Sequence, residues 1–194
     1  MGSTLSVSEI KGLTSGNNAN TISVSSGHTL HQPGSIIQIV RTTPATTSSV
    51  TLSSSPPNMV EFTSAVRTTI TPKFATSLLR LNFCSLMSGQ NTSAIMSFKF
   101  YDQTNNSNVG FSTLGTGSGR TFCNASYRNK DYDANDRVHL NMTAYQAASN
   151  TNARTYSIYG MIESGQTIYM NMTTTDNNGC SYAPPVFTIE EIAQ

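Results

Sequence analysis

Apolar and polar residues alternate in short runs along this chain, and prolines fall between the runs. In residues 33–87, Ile37 and Ile39, then Val50 and Leu52, alternate with Gln38, Arg41, Thr51 and Ser53. After Pro56-Pro57 the alternation resumes at Val66, Thr68 and Ile70, stops at Thr71-Pro72-Lys73 and restarts at Leu79, Leu81 and Phe83. A period of two belongs to a strand with one buried and one wet face, and no helix can use it. Proline has no backbone donor for a central ladder, so Pro44, Pro56, Pro57 and Pro72 belong between strands or on an edge. The stretch predicts a meander of short antiparallel strands.

The pattern continues downstream. Ala94, Met96, Phe98 and Phe100 alternate, as do Val138, Leu140 and Met142, then Tyr156, Ile158 and Gly160, then Ile168, Met170 and Met172. Val109 and Phe111 begin a short strand, and Val186 to Ile192 closes the chain. Residues 102–108 and 122–136 read as polar loops. About ten short strands separated by Gly, Asn and Pro turns, with no helical segment, predict an all-β fold, an antiparallel β-sandwich of jelly-roll type. Residues 1–32 hold too few apolar residues for a private core, although Leu5, Val7, Ile10, Ile22 and Val24 keep a broken alternation. They are expected to form an extended strand or stalk for attachment or oligomerisation, with a disordered leader as the alternative. Residues 33–194 would be the sandwich domain.

With 194 residues the chain is one domain, or one domain with an appendage. Charged residues make up 11% and the formal net charge is +1, with Lys and Arg scattered. No long-range field would draw a polyanion, which argues against nucleic-acid binding. Three cysteines without CxxC spacing suggest neither a disulfide framework nor structural zinc, and Cys84, inside an apolar run, is expected to pack as a small hydrophobe. No signal peptide or bilayer-spanning stretch is evident, so synthesis in a reducing cytoplasm without membrane insertion is expected.

The motifs offer little chemistry. Gly115 to Gly119 is rich in glycine but lacks the following helix and GK[ST] of a phosphate loop, so it reads as a hairpin tip. Asp131, Asp133 and Asn135 place oxygens at alternate positions, as calcium loops do. The sixth and twelfth positions of that loop are Asp136 and Met142 instead of Gly and Glu, leaving a solvated acidic turn as the plainer reading. His28, His31 or His139 could hold a metal only if a threefold axis multiplied it. No GxSxG elbow is present, and Glu61, Asp102, Glu163 and Asp176 show no pairing that marks a glycosidase. Met1 to Ser6 fits a myristoylation pattern without a second anchor, and the five Asn-x-Ser/Thr sequons suit a chain this rich in those residues. No cofactor and no enzymatic activity are expected.

Three segments carry a resemblance: TISVSSGHTLHQPGSIIQIV at 21–40, VRTTITPKFATSLLRLNF at 66–83 and TIEEIAQ at 188–194. Together they resemble small structural modules of tailed bacteriophages, particularly fibre and fibre-like virion proteins of phages infecting marine bacteria and cyanobacteria. The resemblance implies a non-enzymatic virion protein, a tail fibre or fibre-like appendage, made in the host bacterial cytoplasm. It implies assembly as a homotrimer with other virion proteins, and contact with a host-surface glycan or protein. A capsid decoration or head-fibre protein, a glycan-degrading tailspike and a soluble sugar-binding jelly roll are the alternatives. Loops vary without disturbing a core, so Tyr127, Tyr132 and Tyr182 are the surface-contact candidates. Packing against the sandwich is the competing role for each.

Overall fold

The computed structural model describes residues 32–44, 48–51, 59–89, 95–110, 123–128, 137–162, 167–170 and 184–194. Its strands are β1 (Ile36–Thr42), β2 (Ser48–Thr51), β3 (Val60–Glu61), β4 (Thr68–Ile70), β5 (Leu78–Gly89) and β6 (Ile95–Asp102). They continue with β7 (Ser107–Asn108), β8 (Ala125–Arg128), β9 (Arg137–Ala147), β10 (Arg154–Ile162), β11 (Thr167–Met170) and β12 (Val186–Ile192). A single 3-10 turn, Ser64–Val66, is capped by the Thr63 hydroxyl, which accepts from the Ala65 N–H. Among the described residues it is the one helical element, where none was expected.

β5 anchors the first sheet. Its residues 78–88 pair with β9 along one edge; the other edge takes β12 at residues 78–84 and β11 at residues 87–89. β1 lies outside β12, and β2 outside β11. In the second sheet β10 pairs with β6 on one edge and with β3 and β4 on the other, while the far edge of β6 carries β7 and β8. Strands lying end to end make single columns, so each sheet has four. Numbered along the chain, the columns run 1-8-3-6 in one sheet and 2-7-4-5 in the other. That is the order of a jelly roll, two Greek keys folded into a sandwich.

The predicted antiparallel sandwich is therefore what forms, but the predicted meander is not. None of β1 to β5 pairs with its neighbour in sequence. Alternation fixes which side chains are buried and is the same whether a strand's partner is local or distant. β8 also occupies part of the predicted 122–136 loop, and the strand expected at Val109 is the two-residue β7 just before it.

The alternating faces meet in one core. Leu79, Leu81, Phe83 and Met87 of β5 point inward with Phe187 and Ile189 of β12 and Leu140 and Met142 of β9. They face Met96, Phe98 and Phe100 of β6 and Tyr156 and Ile158 of β10. Phe187 joins the layers, edge-on to Phe83 at 6.2 Å and tilted against Phe100 at 5.5 Å. Cys84 corrects an expectation: sitting between inward Phe83 and Ser85, it is exposed on the outer face of the first sheet.

One buried carboxylate ties the edge columns to the turn between β4 and β5. Glu191 has no solvent exposure. It accepts from the Lys73 N–H at 2.8 and 2.9 Å, the Phe74 N–H at 3.0 Å and the Gln38 amide at 2.6 Å. Gln38 also donates to the Thr71 carbonyl at 2.7 Å. Burial works against the charge, but the Lys73 and Phe74 donors and the Gln38 amide outweigh it and hold the carboxyl below its ordinary 4.5.

A second tight point lies where the chain leaves β7. Gly110 has φ +85, and a Cβ there would stand 3.0 Å from the Ala144 Cβ and 3.1 Å from the Asn124 amide nitrogen. Asn124 is fully engaged: its Oδ1 accepts from the Phe100 N–H at 2.8 Å and its Nδ2 donates to the Val109 carbonyl at 3.3 Å. Asn124, which opens the sequon Asn124-Ala125-Ser126, is thus a structural clamp on β6.

Two outcomes follow. A carboxylate whose native value is depressed stabilises the fold above its unfolded value, and the effect is lost as pH falls through the native value. Glu191→Gln should lower stability at pH 7 by about 2–3 kcal/mol in urea melts and flatten the acid limb of stability below pH 4.5. Gly110→Ala should cost about 1–3 kcal/mol, because an alanine is strained at positive φ and its methyl meets Ala144.

Candidate contact surface

The strands that bury Phe98, Phe100, Tyr156 and Ile158 must turn the residues between them outward. On β6 these are Lys99 and Tyr101, and on β10 they are Tyr159 and Ser157, the serine wholly covered by its neighbours. The register sets Tyr159 opposite both Lys99 and Glu61, and Ser157 opposite Tyr101. Glu61, Ser157, Tyr159, Lys99 and Tyr101 therefore share the outer face of the second sheet.

The side chains are mutually ordered. The Tyr101 and Tyr159 rings lie 4.4 Å apart at 30°, and the Lys99 ammonium stands 5.4 and 5.8 Å from their centroids. Gln103 donates to the Tyr159 hydroxyl at 3.2 Å. Glu61 accepts a two-pronged hydrogen bond from Arg67, at 2.7 and 2.6 Å, and a third from the Ser157 hydroxyl at 2.6 Å. Arg67 leads into β4, so this fork also fastens the short edge strands.

The charges are unequal. Hydrogen bonding from Arg67 pulls the Glu61 carboxyl below its ordinary range despite partial burial, and the pair cancels to zero. Burial pushes the Lys99 ammonium below its ordinary 10.5 and the Tyr159 hydroxyl above its ordinary 10.0. Among the described residues no carboxylate pairs with Lys99, which is left as the uncompensated charge of the face. A partly dried cation beside two aromatic rings, rimmed by amide and guanidinium donors, can hold an anion or a hydroxyl-rich ligand by short-range contact.

Of the residues singled out in the sequence, Tyr127 lies on β8, opposite Met96, and packs half-buried against the core. Tyr132 and Tyr182 lie outside the described residues, as do Asp131, Asp133, Asn135, His28 and His31. His139 is exposed on β9, beside Cys84 and Val186 in a shallow groove on the other sheet. Among the described residues no three His, Cys, Asp or Glu side chains gather to hold a metal ion. No helix among them is long and apolar enough to cross a membrane. Lys99, Tyr101 and Tyr159 are the outward positions of the alternating runs SFKFY and TYSIY, on strands rather than loops.

The sequence matches no protein-family profile and no curated protein. In fold the chain is similar to a chain in a structure of infectious bursal disease virus, Gt strain, with 10% identity and a TM-score of 0.41 over 90% of this chain. A Gx strain structure of the same virus gives 9% identity and a TM-score of 0.35 over 84%. This chain spans 42% and 37% of the length of those two.

The Lys99 environment is directly measurable. Its ammonium should titrate below 10.5 by side-chain NMR, and Tyr159→Ala, which uncovers it, should move it up toward that value. Titration at 10.5 in both proteins would mean that the rings do not shelter the charge.

Proposed function

We propose that the chain is a non-enzymatic structural protein of a bacteriophage virion, a tail fibre or fibre-like appendage. In this reading residues 33–194 form the sandwich domain and residues 1–32 join it to its own copies, as a homotrimer, and to neighbouring virion proteins. The outer face of the second sheet, with Tyr101, Tyr159 and Lys99, is the surface offered to the host.

The observation that carries this reading is the convergence at Glu191. The three segments that resemble phage fibre modules are far apart in sequence, yet Gln38, Thr71, Lys73, Phe74 and Glu191 bring all three to one hydrogen-bonded node. Segments that must meet for one turn to close behave as a single structural signature, which supports reading them as one module. The jelly-roll strand order supports it further, since this architecture serves viral shells and lectin domains. Fold alone does not carry function.

Light scattering of the full chain and of residues 33–194 tests the reading. The full chain should have the mass of three copies, and residues 33–194 should fall to one. A monomer in both cases would contradict a fibre built through the N-terminal segment.

A further inference from the structure

We propose that the outer face of the second sheet binds an acidic sugar, a carboxylate-bearing pyranose such as a hexuronate. Its ring would lie against the Tyr101–Tyr159 pair and its carboxylate against Lys99. The inference deepens the attachment reading and rests on it for its biological setting.

Three observations carry it. First, Lys99 is a cation without a counterion among the described residues, because Arg67 already occupies the Glu61 carboxylate from the same face. A carboxylate arriving from outside meets a charge that burial has partly stripped of water, where an ion pair is stronger than on an open surface. Second, the two tyrosines present ring surface and hydroxyls together, and the C–H face of a pyranose is apolar while its rim is polar. Third, the rim of the face supplies groups for sugar hydroxyls: the Arg67 guanidinium, whose side chain is 46% exposed, and the Gln103 amide beside the Tyr159 hydroxyl.

The low overall charge bears on ligand class. With a net charge of +1 the protein cannot gather a polyanion from a distance, so recognition depends on contacts at this one cation. A saccharide with one carboxylate per ring and several hydroxyls fits one ammonium within a hydrogen-bonding rim. An acidic peptide presents charge without the apolar ring face.

Calorimetric titration of the full chain with oligogalacturonate, alginate and hyaluronan oligosaccharides tests the proposal, with maltotetraose as the neutral sugar and oligoglutamate as the acidic peptide. At least one uronate oligosaccharide should bind, at least tenfold more tightly than maltotetraose or oligoglutamate. Lys99→Met and Tyr159→Ala should each weaken it at least tenfold, and Lys99→Arg should retain most of it. Circular dichroism melts establish that each variant is folded, and Tyr127→Phe serves as a variant away from the face. Binding to none of the uronates, equal binding of the neutral sugar or equal binding of oligoglutamate would overturn the assignment. So would uronate binding that Lys99→Met leaves unchanged. A full chain that still has the mass of a trimer under those outcomes keeps the attachment reading and loses only the ligand.

Discussion

Everything in this molecule depends on the burial of alternate residues between two sheets. Leu79, Leu81, Phe83 and Met87 enter the core from β5 while β9 and β12 take its two edges, so β5 can neither rotate nor slip. A slip of one residue would send that row to solvent and bring Arg80, Asn82 and Cys84 inside. The opposite sheet obeys the same rule: Phe98 and Phe100 are fixed inward, Phe100 against Phe187, so Lys99 and Tyr101 have nowhere to go but out. The outer face that carries Lys99, Tyr101 and Tyr159 is thus a by-product of the core and inherits its rigidity. Ligand sites held on strands are better preorganised than sites on loops.

The Glu191 node solves a different problem. A jelly roll closes on itself through columns distant in sequence, and the edge columns have little core of their own. β4 has three residues and β3 two. A buried carboxylate receiving backbone donors from the turn after β4, and an amide from β1, fastens that turn and β1 to β12 at the cost of one dehydrated charge. The Glu61–Arg67 fork does the same for β3 and β4 on the outer face, where solvent weakens it.

The layer structure was legible because alternation reports burial directly. The alternation places Thr68 and Ile70 of β4, Leu79, Leu81 and Phe83 of β5, Met96, Phe98 and Phe100 of β6, Leu140 and Met142 of β9, Tyr156 and Ile158 of β10 and Ile168 and Met170 of β11 inward, where the structure has them; on β1 it fails, since Ile39 is exposed and Val40 packs against the core. Pairing was not legible, because β1 finds β12 across the whole length of the chain and no local signal encodes that. Cys84 was misplaced for a related reason: an apolar run with Leu86 and Met87 hides the alternation that puts Cys84 on the outside. The outward tyrosines Tyr101 and Tyr159 follow from the period of two strands, whereas Tyr127, in a stretch that reads as loop, lies on β8 and packs against the core.

The central claim is that this rigid sandwich is a component of a virion. It is tested most directly by mass spectrometry of density-purified virus particles, washed in high salt, from infected cells that produce the chain. The account predicts peptides spanning residues 33–194 in the particle, in copy number a multiple of three relative to the other virion proteins. Peptides confined to the infected-cell lysate and absent from washed particles would contradict it.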